Sequence, residues 1–144
     1  MRFNNRIFVC FVLVMLYACK TTVVNSPESF KGKEIFIGSG GGVTGMTTTW
    51  YILDNGQIFC QKSRQGEMKE IKRLSKSKTA QLFDQIQLLK LTEDDFLHPG
   101  DITWFIGLKQ PGMNKLTVKW GDSRFPVPEK YTIFYNQTLS VIQP

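Results

Sequence analysis

Residues Thr47–Lys62 read TTTWYILDNGQIFCQK. Two runs rich in β-branched and aromatic residues flank Asp54-Asn55-Gly56, a turn sequence whose Asn-Gly pair tolerates the positive φ angles of a tight hairpin. With Asn55 and Gly56 as a two-residue loop, Leu53 pairs with Ile58 and Tyr51 with Cys60. Trp50, Ile52 and Phe59 then share the opposite face. Both faces are apolar, so alternation alone does not say which one meets the core.

Working outward, Glu34–Ile37 reads as a short strand running into the glycine-rich stretch Gly38–Gly45. After the hairpin the period changes. Leu82, Phe83, Ile86 and Leu89 fall at helical spacing, with Ser75 or Ser77 as N-cap. Ile102, Trp104, Ile106 and Leu108 alternate, Pro111-Gly112 turns the chain, and Leu116, Val118 and Trp120 alternate again. Pro128 suits the first turn of a last helix, whose apolar stripe is Tyr131, Phe134, Tyr135, Thr138 and Ile142. The expected fold is α+β in the order ββ-α-ββ-α. Its simplest packing is a two-layer sandwich, an antiparallel sheet of about four to five strands with two helices on one face. Such a sheet has a second face, and Trp50, Phe59 and Phe105 are the candidates to form an aromatic binding patch on it. The competing expectation is that the N-terminal segment or a loop covers that face.

The chain has 144 residues, 42% of them hydrophobic, which suits one folded domain and excludes a disordered chain. The N-terminus carries an address. Arg2 and Arg6 precede the uninterrupted apolar run Ile7–Tyr17. As a helix that run rises about 17 Å, short of the roughly 30 Å hydrocarbon core of a bilayer, so it reads as a signal peptide over 1–18 and not as a permanent span. Leu16-Tyr17-Ala18-Cys19 resembles the lipobox of bacterial lipoproteins. That resemblance implies that Cys19 becomes the first residue of the mature chain and carries its lipid, with Tyr17 bulkier than the usual residue there. It also implies a membrane partner through the lipid, a cell-envelope location and, because Lys20 and not Asp follows the cysteine, the outer membrane. Residues 19–33 read as the lipidated end and a tether with a reach of about 20 Å, and 34–144 as a single globular domain. Cys10 leaves with the signal and Cys19 takes lipid, so Cys60 alone remains and the fold must rest on its core without a disulfide.

Few sequence patterns carry chemistry. Gly40, Gly42 and Gly45 have the spacing of a dinucleotide-binding fingerprint, and Gly41 lies among them. They run into a strand instead of opening a helix, and no Gly-Lys-Ser/Thr follows, so no nucleotide cofactor is expected. Backbone freedom is their expected role, with the loop also a candidate for presenting to a partner. His98 is the sole histidine. A hydrolase or metal reading would recruit Asp94, Asp95 and Asp101 around it, or pair it with Cys60, but neither a calcium-loop nor a zinc spacing is present, so no metal is expected. No Gly-x-Ser-x-Gly elbow occurs. The basic stretch Lys62, Arg64, Lys69, Lys72, Arg73, Lys76 and Lys78, offset by Glu67 and Glu70, reads as a solvated hairpin-to-helix connection, with anionic headgroups or an acidic glycan as the alternative it could face, while nucleic acid is a poor partner for an exported protein.

Gly38–Gly45 with the hairpin behind it, Pro99-Gly100-Asp101 and Trp120-Gly121 together resemble small lipoproteins of the Bacteroidetes type, a family without assigned chemistry that transfers no functional residue. The expected function is therefore a lipid-anchored, non-catalytic interaction module without cofactor, facing another envelope protein or a glycan. The alternatives are a small hydrolase or metal-dependent enzyme around His98, and an accessory subunit of an envelope complex.

Overall fold

The computed structural model describes residues 26–92 and 96–143. The expected signal peptide and Cys19 lie outside the described residues, as do Asp94 and Asp95. In chain order the elements are β1 (Glu34–Gly41), β2 (Thr47–Leu53), β3 (Gln57–Lys62), β4 (Met68–Arg73), α1 (Lys76–Leu88), β5 (Leu97–His98), β6 (Ile102–Lys109), β7 (Leu116–Trp120) and α2 (Glu129–Ile142). The seven strands form one open sheet in the order β4-β3-β2-β1-β6-β7-β5. All pairings are antiparallel except β5 with β7.

The α+β class and the two helices agree with expectation, while the sheet is wider than four to five strands. The two extra strands are the edges. β4 (MKEIKR) is nearly all exposed and has no apolar alternation to announce it. β5 has only two residues. Short or charged edges of this kind discourage edge-to-edge association. β1 takes the centre of the sheet, and its first five residues are buried on both faces.

Registered rows of side chains make the core. Ile58, Ile52, Ile35 and Leu108 lie in one row across the sheet, and Cys60, Trp50, Ile37, Ile106 and Val118 lie in the next. Leu82, Phe83 and Ile86 of α1 and Tyr131, Phe134, Tyr135 and Ile142 of α2 join these rows in one buried cluster. The helix stripes read from the sequence are thus the packed ones. Ser75 caps α1 by accepting from Lys78 N at 3.4 Å, and Thr79 Oγ1 donates back to Ser75 O at 2.9 Å. Lys130 Nζ donates to Leu89 O at 3.1 Å, satisfying a carbonyl at the end of α1 from the first turn of α2.

Part of the expected tether lies against the domain. Pro27 is buried, and its carbonyl accepts from Lys109 Nζ at 3.5 Å. Lys33 N donates to Asp54 Oδ2 at 2.8 Å, and Asp54 N donates to Lys33 O at 3.0 Å.

Candidate functional site

The hairpin register decides which aromatic residues share a face. Gly56 N donates to Leu53 O at 2.9 Å, and Gly56 has φ +90°. The loop therefore spans Asp54, Asn55 and Gly56, one residue more than the two-residue loop read from the sequence, with glycine in the left-handed position that a three-residue hairpin needs. Asn55 Oδ1 accepts from Gln57 N at 3.0 Å and holds that geometry. The consequence is a one-residue shift. Ile52 faces Ile58, Tyr51 faces Phe59, and Trp50 faces Cys60. Since side chains alternate with period two, a shift of one moves every residue of β3 to the other face relative to β2.

The expected trio of Trp50, Phe59 and Phe105 is thereby split. Trp50 packs against the core under the helices. Phe59 lies on the opposite face but is only 4% exposed. Phe105 is half-buried on that same helix-free face, in the row Gln61, Thr49, Gly38, Phe105, Lys119. The row beside it is Phe59, Tyr51, Phe36, Gly107, Thr117. The glycines shape this surface. A Cβ at Gly107 would strike the Phe36 ring, and one at Gly38 would strike the Phe105 ring, so both phenylalanines lie over a cross-strand glycine, with ring centroids 6.5 Å apart.

The result is a groove of about 1020 Å³ on the face away from the helices. Its floor carries Thr47, Thr49 and Tyr51 of β2, Phe105 of β6 and Thr117 of β7. One end is the β3–β4 turn with Arg64, and the other holds Lys115 and Lys119. Gln61 fixes the first end. It accepts from Tyr51 OH at 3.1 Å through Oε1, while its Nε2 donates to Gly66 O at 3.1 Å. Tyr51 titrates above its ordinary value, chiefly because burial disfavours the phenolate, with the charge of Glu34 adding to the effect. At the other end the Lys115 ammonium sits 3.8 Å from the centroid of the Phe36 ring. Although most of the Lys115 side chain faces solvent, its ammonium is crowded by the sheet, and that desolvation lowers its pKa. Glu34 opposes the shift, and Lys109 and Lys119 add to it. Glu34 lies just below the groove, 4% exposed, with Oε2 lacking a hydrogen-bond partner and 4.0 Å from Lys109 Nζ. Burial raises its pKa, and Lys109 and Lys115 only partly offset this.

The glycine loop borders the groove. Gly40, Gly41 and Gly45 are among its lining residues. Gly41, Gly42 and Gly45 all have positive φ, and Gly42 N donates to Asp101 O at 2.7 Å. A side chain at Gly41 would collide with that same carbonyl. The expected role in backbone freedom follows directly.

His98 sits between two aromatic rings. Its ring stacks on Phe125 at 3.8 Å and meets the edge of Phe96 at 4.5 Å. Nearby, Arg124 donates through Nη2 to Asp122 Oδ2 at 2.7 Å, and hydrogen bonds from the Arg124 side chain and backbone hold the Asp122 carboxyl down at about 2. Cys60 and His98 sit on β3 and β5, five inter-strand steps apart in the sheet, roughly 24 Å. Burial also pushes the Cys60 thiol up, away from the nucleophilic thiolate. Among the described residues, no group of three His, Cys, Asp or Glu side chains is placed to hold a metal ion.

Sequence reasoning named Arg64 only as part of the basic stretch and missed Lys115, Lys119 and the threonines of the groove. The available signal was the polar phase of each strand, with Thr47 and Thr49 on β2 and Thr117 and Lys119 on β7. That phase becomes a site only once register places the strands. No protein-family model matches this chain, and no curated protein matches it.

Proposed function

We propose that the protein is a lipid-anchored, non-catalytic binding module of the cell envelope, held in the outer membrane through Cys19, and that it binds through the groove on its helix-free sheet face. The observation that carries this reading is the groove itself. It is a concavity of about 1020 Å³ with converging cations, hydroxyls and aromatic rings, on the face that the helices leave open. The lipobox-like Leu16–Cys19 supports the anchor. Several acyl chains hold a protein at a membrane where one chain does so only reversibly.

A photo-crosslinking amino acid at position 117, inside the groove, is expected to give adducts of the full-length protein in intact cells. The same group at exposed position 137 on α2 is expected to give none. Equal labelling at both positions, or none at 117, would sink the binding-module reading. In the same cells, Cys19→Ser should move the protein from the membrane to the soluble fraction, and retention in the membrane would overturn the anchor.

A further inference from the structure

We propose that the groove is a subsite for an acidic polysaccharide, a chain of hydroxyl-bearing rings carrying anionic groups. The inference rests on the binding-module reading and names the ligand of that same groove.

Charge is the first argument. Arg64, Lys115 and Lys119 line the groove, and among the described residues no Asp or Glu lines it. Two carboxylates act on groove residues from outside its lining, Glu34 on Lys115 and Tyr51, and Glu28 on Tyr51. The concave lining itself thus carries only cations among its described charged residues, and such walls focus the field on an anion. The second argument is the polar inventory. Threonine hydroxyls and the Gln61 and Gln65 amides both donate and accept, which matches a polyol. Tyr51 and Phe105 add ring faces for the apolar side of a sugar. The third is extent. From β3 to β7 the groove crosses four inter-strand steps, about 19 Å, with cations at both ends. That is the length of several linked rings, longer than one small anion. A peptide strand fits less well, because the floor is the interior of the sheet with its backbone groups already paired, and strand addition is open only at the β4 and β5 edges. A flat array of headgroups would touch only the rims of a concave surface.

The test titrates the full-length protein, in micelles of an uncharged detergent, with oligosaccharides of galacturonan and of chondroitin sulfate. Fully methyl-esterified galacturonan serves as the uncharged control. At least one acidic glycan should bind, more weakly as salt rises. For a galacturonan ligand, esterification should weaken binding at least roughly tenfold, and for either glycan Lys115→Gln/Lys119→Gln should do the same. Thr117→Trp, which fills the groove, should abolish binding, with circular dichroism melts reporting that both variants are folded. Binding of neither acidic glycan, or equal binding of free and esterified galacturonan, overturns the inference. Groove-dependent binding of polyglutamate or anionic vesicles in place of the glycans also overturns it. If adducts still form at position 117, the binding-module reading survives that result, whereas the absence of adducts there removes both.

Discussion

At the scale of single residues, Glu34 is the most consequential polar group. Its carboxyl is buried beside β6, Oε2 has no hydrogen-bond partner, and Lys109 stands at the 4.0 Å limit of an ion pair. Burial outweighs the two lysines, so the folded-state pKa lies above the ordinary value of 4.5. The folded protein therefore holds this proton more tightly than the unfolded chain does. The resulting stabilisation is complete below pH 4.5 and is lost as pH rises through the raised value. Glu34→Gln should remove that dependence, so the variant gains stability relative to the parent as pH rises from 4 to 7. Urea unfolding at both pH values would show it, and a pH-independent difference would contradict it. Gln57 is equally buried but fully engaged, donating from Nε2 to Glu70 Oε2 at 2.9 Å and accepting from Asn55 Nδ2 at 2.7 Å. Thr138, 0% exposed, lacks a partner for Oγ1. Removing an unsatisfied buried hydroxyl relieves its desolvation penalty, so Thr138→Val should raise stability by about 1 kcal/mol, read as a higher urea midpoint.

At the scale of elements, the helices are placed by their ends and their apolar stripes together. α1 stops where Leu89 N turns back to Ile86 O at 3.2 Å, and Lys90 follows in the left-handed region with φ +51°. Glycine is the residue that suits that position, since it has no Cβ to crowd the preceding carbonyl. Lys90→Gly is expected to stabilise by about 1 kcal/mol, detectable as a rise in Tm of a few degrees. A fall in Tm would mean that the Lys90 side chain contributes more than its backbone strain removes. The last helix is tied to the sheet edge by Lys72 Nζ, which donates to Val141 O at 2.8 Å, a cation placed at the negative end of the helix dipole. One member of the basic stretch therefore serves the fold, while Arg64 of the same stretch reaches the groove.

At the scale of the whole molecule, β1 is the hub, pairing with β2 on one side and β6 on the other. Ile37 stands at its centre, fully buried between Trp50 and Ile106. Truncating it leaves a cavity that neither sheet nor helices can close, so Ile37→Ala should cost about 2–5 kcal/mol. Far-ultraviolet circular dichroism and tryptophan fluorescence should lose signal at one shared, lowered denaturant midpoint. Separate midpoints would show that the two sides of the sheet unfold independently. The sequence by itself determined the types of the long elements, the stripes of both helices, a serine cap at Ser75 or Ser77 and the glycine loop as a backbone device. Each of these is written in a local period or a local turn. Tertiary structure decided the rest. The hairpin strands are apolar on both faces, so only the three-residue loop and the packing of Trp50 under the helices fixed which aromatics meet. The edge strands β4 and β5 owe their pairing to neighbours and carry no apolar alternation. Register likewise brings Arg64, Lys115 and Lys119, far apart in the chain, to one groove.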